Sequence, residues 1–358
     1  MQASSLTLAA PLVPTHAVRR TGALVGLAVA LLATVLLCVG LGSVAISPAQ
    51  TVSILLERFG GSAVADYSEQ QALVLLHIRM PRVLLGALVG AALAVSGALM
   101  QGLFRNPLAD PGLVGVSAGS ALAAVAWIVL GGALVLPPVV AANALALAAF
   151  GGGLATTALV YRFATHGGRT LVATMLLAGV AVSALAGAGV GLFVFLANDA
   201  QLRTITFWTL GALGGASWET LAGVAPLLLA PVIAGPLLAR GLNAMLLGEA
   251  EAFHVGVRVE RLKRSAVVLA ALGVGASVAS GGMIGFVGLV VPHLVRLALG
   301  PDHRTLVPAS ALLGGILLLL ADLFARTIAA PAEVPIGIVT ALGGAPFFLW
   351  LLLREKPT

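Results

Sequence analysis

Long apolar runs dominate the hydropathy pattern of this chain. Because hydrocarbon leaves no partner for free backbone N–H and C=O groups, a run of about 20 apolar residues predicts a membrane-spanning helix. Ten such runs are present, at residues 22–46, 80–103, 113–136, 139–161, 171–197, 219–239, 265–281, 284–299, 306–328 and 335–353. The pattern predicts an all-α polytopic membrane protein with about ten transmembrane helices.

Residues 265–299 decide whether the number of spans is even. The stretch has no carboxylate or lysine, and one helix of its length would overshoot the bilayer. Basic residues on both flanks, at 261–264 and 304, favour the same cytoplasmic side. Two short crossings that meet near Gly281 and Gly282 satisfy both conditions.

The basic residues also predict the orientation, because cytoplasmic loops carry an excess of Lys and Arg. With the N-terminus inside, only positions 58, 79, 82, 203 and 326 among the 19 basic residues lie outside. Both termini are therefore predicted to be cytoplasmic. The run that starts at Thr21 is too long for the core of a signal peptide, roughly 7 to 15 residues. The predicted division is a tail 1–20, one transmembrane domain 21–354 with a long inner loop at about 240–264, and a tail 355–358.

Composition narrows the function. Hydrophobic residues make up 60% and charged residues 9%, whereas soluble domains carry about 25% charged residues. The net charge of +6 does not indicate nucleic-acid binding, because the basic residues are scattered in ones and twos. The single cysteine, Cys38, excludes disulfides within the chain and thiolate metal sites.

The sequence offers little catalytic chemistry. A phosphate-binding loop needs a lysine after glycine, and neither Lys263 nor Lys356 follows one. Asp322 lies four residues before Arg326, which favours a structural ion pair over a proton relay. No second His or carboxylate lies near His293 at the spacing of metal ligands, so His293 is more consistent with a hydrogen-bonded structural residue than with a metal ligand. The chain is predicted to be a transport subunit without catalytic residues, bound metal or cofactor, and any ATP is hydrolysed by a partner subunit.

Three polar stretches stand out. Arg79-Met80-Pro81-Arg82 places two arginines outside, suited to the carboxylates of a partner or to snorkelling at the interface. The turn at 101–119 either lines a pathway or simply connects two helices. The inner loop 240–264 predicts short helices broken by Gly248 and closed by Gly256, which either dock on a soluble partner or lie among lipid headgroups.

The chain resembles the permease family of bacterial ABC importers for iron–siderophore complexes, haem and cobalamin, from about Thr21 to Glu355. The segments that carry the resemblance are RMPRVLLGALVGAALAVSGALMQGLFRNPLADPGLVGVSAGSALAAV (79–125), LGALGGASW (210–218), GEAEAFHVGV (248–257), GGMIGFVGLVVPHLVRLALGPDHRTLVPASALLGG (281–315) and ADLFARTIAAPAEVPIGIVTALGGAPFFLWLLL (321–353).

The resemblance implies partners: a second copy of the chain, two ATP-binding-cassette ATPase subunits and a periplasmic substrate-binding protein, assembled in the bacterial inner membrane. It implies that Arg79, Arg82 and Arg326 receive acidic residues of the binding protein. It implies a cytoplasmic gate at Asn106 and Leu108, with a second gate element at Val172, Ala173 and Thr174. The segment Leu171–Thr174 has fewer hydroxyls than the pattern of cobalamin permeases. ATPase coupling is implied for Leu247, Gly248, Glu249, Ala250, Glu251, Ala252, Phe253 and Gly256.

The function expected from the resemblance is import of an iron chelate by alternating access. Haem comes first, because the C-terminal third from Leu289 onward is similar to haem permeases, and a ferric siderophore comes next. A cobalamin permease of the same family is the alternative. A secondary transporter or channel that works without an ATPase, and a scaffold with no transport role, remain open as well.

Overall fold

The computed structural model describes residues 15–42, 44–58, 60–134 and 137–354. Within them the helices are α1 (Thr15–Gly40), α2 (Pro48–Arg58), α3 (Glu69–Leu73), α4 (Met80–Phe104), α5 (Val116–Leu130), α6 (Pro138–Ala164), α7 (Val172–Leu196), α8 (Asp199–Leu210), α9 (Trp218–Ala234), α10 (Ala239–Met245), α11 (Glu249–His254), α12 (Val259–Gly281), α13 (Val287–Leu299), α14 (His303–Thr327) and α15 (Ile336–Arg354). A π-helical turn, Val74–Arg79, joins α3 to α4, and 3-10 turns cover Pro111–Val114, Gly131–Ala133 and Gly235–Leu238. Strands β1 (Thr165–His166) and β2 (Arg169–Thr170) form one antiparallel hairpin.

The predicted all-α polytopic fold is confirmed. In the described part of the chain, eight helical stretches are long and apolar enough to cross a membrane, and α13 and α15 are shorter apolar helices. These ten stretches correspond to the ten predicted spans. Helices α2, α8 and α11 lie outside these stretches, whereas α10 forms the end of the stretch Trp218–Met245. Helix α1 already begins at Thr15, inside the predicted tail, and residues 1–14 and 355–358 lie outside the described residues.

The two crossings predicted between 265 and 299 differ in length from the expectation. Helix α12 starts earlier, at Val259, and has 23 residues, whereas α13 has only 13. At 1.5 Å per residue, α13 rises about 20 Å and is shorter than the roughly 30 Å hydrocarbon core. The break includes Gly282 and Phe286, which both have a positive φ. This region is therefore a discontinuous helix pair.

Helix α4 forms the centre of the bundle. It is almost wholly buried and packs against α1, α9, α12, α13 and α14. Small residues allow close helix packing at Gly90 and Gly97. A Cβ added at Gly90 would collide with the backbone of Gly314, and one added at Gly97 with the backbone of Gly288. Small residues here let helix backbones touch, which is how helices associate without a hydrophobic driving force in lipid.

The two ends of the bundle are fixed by polar contacts on α14. At its start, Asp302 pairs with Arg20 at 2.7 Å and accepts a hydrogen bond from the Asn243 amide. At its other end, Arg326 bonds the carbonyl of Cys38. Arg20 and Asn243 therefore share one end, here called the inner end, and Arg326 lies at the opposite, outer end, as the basic-residue pattern predicts.

Helix α7 exposes much of its apolar surface. Leu177, Leu185 and Phe195 are 73%, 73% and 84% exposed. So many exposed apolar side chains on one helix indicate that this surface faces lipid or packs against another protein chain.

Candidate functional site

The outer arginine cluster comprises Arg79, Arg82, Asp322, Arg326 and Glu333. Arg82 lies in the first turn of α4, and its Nε and Nη2 donate to Asp322 on α14 at 2.8 to 3.2 Å. Its Nη1 and Nη2 donate to the two carboxylate oxygens of Glu333 at 2.8 and 3.0 Å. The guanidinium is thus shared by one buried and one half-exposed carboxylate, whose side chains are 3% and 47% exposed.

The other two arginines of the cluster hold the end of α1. Arg79 donates to the carbonyls of Val39, Gly40 and Val44, and Arg326 donates to the carbonyl of Cys38. The last carbonyls of a helix lack intrahelical donors and carry partial negative charge, so cations are favoured there. Both guanidinium groups therefore stabilise the packing of α1 against the helices that carry them.

The structure therefore brings Arg79, Arg82 and Arg326 together but directs their guanidinium groups into the protein. The structural ion pair predicted between Asp322 and Arg326 is present at 3.6 Å. Glu333, the solvent-side partner of Arg82, was missed by sequence reasoning. The available signal was a lone carboxylate in an apolar outer loop. Hydrogen bonds from Arg82 hold the pKa of Glu333 below its ordinary value and keep it charged at neutral pH.

The predicted gate turn has a defined local structure. Asn106 Oδ1 accepts the Leu108 N–H at 2.9 Å, and the Ala109 N–H donates to the Asn106 carbonyl. Asn106 is exposed and Leu108 is half-buried. The chain then turns back into the bundle, where the Pro111 ring lies against Gly288 of α13. Such an Asx turn needs Asn or Asp at this position.

A cavity of about 220 Å³ lies behind this turn. It is bounded by Asp110, Ser117, Ser277, the helix break 282–286 and Gly288. Irregular backbone at membrane depth occurs where it is buried in protein or lines a cavity. Residues 110–112, which follow the gate turn, and the α12–α13 break therefore enclose a shared space inside the bundle.

The second predicted gate element forms the start of α7. Val172 is its first residue and packs against the core, Ala173 is exposed and Thr174 is half-buried. The hairpin β1–β2 directly precedes it and ends at the buried Thr170. This hairpin was not predicted.

The coupling segment, residues 240–264, contains the two short helices expected around Gly248. Helix α10 ends at Met245, and α11 begins at Glu249, after Gly248 with φ +132°. Gly256, with φ +87°, follows α11. Both conformations favour glycine. The predicted break and closure are confirmed.

This segment presents apolar side chains at its surface. Leu247, Phe253 and Val255 are 74%, 70% and 68% exposed, and Leu246 is 39% exposed. Ala252 is fully buried and Ala250 and Glu251 are on the surface side of α11. An exposed apolar patch next to charged residues is typical of a protein-binding surface.

Beneath the coupling segment lies the inner lysine cluster: Lys263, Glu249, Glu260 and Thr170. Lys263 is 1% exposed. Its Nζ donates to the Thr170 carbonyl and to Glu249 at 2.7 Å each, and to Glu260 at 3.3 Å. The sequence analysis used Lys263 as a topology marker and to exclude a phosphate-binding loop, and it did not predict these partners, although the chain has only two lysines.

Among the described residues, no three His, Cys, Asp or Glu side chains come close enough to hold a metal ion. His293 is buried and packs against the rings of Phe347 and Phe348.

A bundle of about ten apolar helices, an internal cavity beside a constrained turn and an exposed apolar segment at the inner end are features of a multi-span membrane permease. The comparison with protein-family models matches residues 30–354 to the FecCD transport family. The chain belongs to this family and is a permease subunit of the ABC importer class.

Named relatives agree with this assignment. The hemin transport system permease protein of Yersinia pestis is 50% identical over 281 residues, 78% of this chain and 83% of that protein. The cobalamin import system permease protein of Halobacterium salinarum is 48% identical over 77% of this chain and 72% of its own length. A solved structure, described as an inward-facing conformation of a metal-chelate type ABC transporter, superposes with a TM-score of 0.81 at 32% identity, covering 93% and 99% of the two chains.

Proposed function

We propose that this chain carries an iron chelate, haem first, across the bacterial inner membrane into the cytoplasm. The observation that carries the proposal is the 50% identity to a hemin permease over most of both chains. A ferric siderophore is the next candidate cargo. Cobalamin is the alternative, favoured by the relative that is 48% identical.

The proposed assembly contains two copies of this chain, two ATP-binding-cassette ATPase subunits and a periplasmic substrate-binding protein. This chain itself needs no bound cofactor, because ATP is used by the partner subunits. The exposed apolar face of α7 supports burial against a second copy or lipid. The apolar side chains of the coupling segment, Leu247 and Phe253 foremost, support docking of an ATPase on the inner end.

On the outer end, docking of the binding protein is proposed at the arginine cluster. Arg82 is already occupied by two carboxylates of its own chain, so an acidic residue of the partner has to replace one of them. Glu333 is the one to be replaced, because it is half-exposed while Asp322 is buried. The pair is open to solvent on the Glu333 side, and an incoming carboxylate could accept the same two hydrogen bonds from Arg82, which makes the exchange feasible.

Transport is proposed to proceed by alternating access around a path shared by the two copies. The gate turn at Asn106 and Leu108 and the start of α7 at Val172–Thr174 are proposed to close the inner side. The cavity supports this, since residues 110–112, which follow the gate turn, line it and movement of the turn would change its shape.

The test is reconstitution of this chain in liposomes with its ATPase and binding protein. ATP-dependent uptake is compared for haem, a ferric siderophore and cobalamin. We expect haem uptake to exceed the other two. Uptake of cobalamin alone would replace the cargo assignment, and uptake without ATPase and binding protein would contradict the proposed assembly.

A further inference from the structure

The inner lysine cluster connects three segments that are far apart in sequence. Lys263 lies in the first turns of α12, Glu249 is the first residue of α11, and Thr170 ends the hairpin before α7. An ammonium group has three N–H donors. All three are used here, one for each partner, at 2.7, 2.7 and 3.3 Å.

Thr170 is held on both sides of its backbone. Its carbonyl accepts from Lys263, and its N–H donates to Glu260 Oε2 at 3.0 Å. Its hydroxyl also bonds the Tyr161 hydroxyl and the Thr165 hydroxyl. The hairpin end is therefore fixed to the start of α12 rather than left as a free loop. Val172, the first residue of α7, follows two positions later.

The link to α11 is a charge pair at the protein surface. Glu249 and Glu260 keep 40% and 33% of their side chains exposed, whereas Lys263 keeps 1%. Separation from Glu249 would leave the buried ammonium with one carboxylate, Glu260, at the longer distance of 3.3 Å. Weakening the pairing of a buried charge is unfavourable, so joint movement of Lys263 and Glu249 is favoured over their separation. Two carboxylates around one ammonium also leave the cluster with an excess of negative charge.

We propose that Lys263 is a positioning residue that transmits displacement of α11 to the hairpin and the start of α7. This inference rests on the proposed function, in which an ATPase docks on the coupling segment. When the docked ATPase moves α11, Glu249 moves, Lys263 follows its partner, and Thr170 is pulled with it. The inner gate at Val172–Thr174 then changes position in step with the ATPase.

The test uses the full complex in liposomes and measures ATP hydrolysis and cargo uptake in the same preparation. In Lys263→Met, which keeps a long unbranched side chain, we expect cargo moved per ATP hydrolysed to fall about 5-fold or more. Lys263→Arg restores a cation that can pair with both carboxylates and is expected to recover most of the ratio. Arg162→Met, which removes an exposed basic residue at the inner end of α6, is the matched control.

A second measurement follows the hairpin directly. His166→Cys places a spin label on an exposed hairpin position, and the native Cys38 is buried. We expect ATP to change the distance between the two labels of the dimer in the parent protein and to change it much less with Lys263→Met.

Three outcomes overturn the inference. One is an unchanged uptake-to-hydrolysis ratio in Lys263→Met. Another is an ATP-induced label movement that survives the substitution. The third is a loss that Lys263→Arg does not recover and that tracks a lower unfolding temperature, which would make the residue purely structural. If instead the parent complex shows no ATP-dependent uptake at all, the proposed function fails, and the label experiment still tests the linkage.

Discussion

The outer arginine cluster and the inner lysine cluster both neutralise buried charges, but their net charges are opposite. Each pairs a buried cation with one carboxylate or more near a membrane surface, and each ties segments distant in sequence. The outer cluster has three guanidinium groups for two carboxylates, and the inner cluster has one ammonium for two carboxylates. The surplus is positive outside and negative inside.

This difference in net charge predicts which kind of partner surface each end of the bundle would bind. If the binding protein docks as proposed, the outer surplus of positive charge is expected to attract its acidic residues once Glu333 leaves Arg82. The inner cluster has no unpaired cation, and the exposed surface beside it is apolar at Leu247 and Phe253. Docking outside is therefore expected to depend on salt, whereas docking inside is expected to depend mainly on apolar burial.

The largest effect is expected from a substitution that disrupts the outer arginine cluster and lowers the stability of the fold. Arg82→Ala leaves Asp322 buried with only the longer contact to Arg326, and we expect about 3 to 5 kcal/mol lower stability. The measurement is unfolding of the purified chain in detergent. Adding Asp322→Asn in the double variant is expected to recover part of the loss. A loss below about 1 kcal/mol would show that Arg82 is not needed to neutralise the buried carboxylate.

The next effect tests the apolar character of the inner end. Phe253→Ser removes a 70% exposed ring from the coupling segment, and we expect affinity for the ATPase to drop about tenfold. Retention of the ATPase subunits during purification, followed by titration, measures it. Val64→Ser makes a similar change at a 69% exposed outer position and is expected to have no effect. Equal losses in both variants would argue against a localised docking surface.

The smallest effect sharpens the role of Glu333. Glu333→Gln removes the carboxylate that competes for Arg82, so we expect the binding protein to bind up to about fivefold more tightly, with the gain fading at high salt. Glu219→Gln, at an exposed position at the start of α9, controls for the general change in charge. Unchanged or weaker binding in Glu333→Gln alone would contradict displacement of this side chain.

Much of the fold was predictable because its main signal is local. The spans, their even number and the opposite placement of Arg20 and Arg326 follow from hydropathy and from the positions of basic residues. The helix break at Gly248 and the turn at Asn106 follow from residue types with strong backbone preferences. The short length of α13 was not predictable from composition, since the apolar run continues through the non-helical residues 282–286.

Apart from the Asp322–Arg326 pair, which lies within one helix, the partners of the charged residues could not be predicted from the sequence. Arg79, Arg82 and Arg326 were expected to face an external partner, and their hydrogen bonds go to this chain instead. Glu333 and Thr170 carried no pattern of their own. Their docking and coupling roles stay predictions.

The sequence by itself determined that the chain lies in a lipid bilayer, how many times it crosses and on which side each loop lies. Transfer of a segment into lipid depends on the apolar residues of that segment, and the side of a loop depends on its basic residues. Only the tertiary structure decided that Arg82 meets Asp322, 240 residues away, and that Lys263 meets Thr170, 93 residues away. Such pairs depend on which helices are neighbours and at what depth they cross, and close packing of glycine faces such as Gly90 and Gly314 sets both.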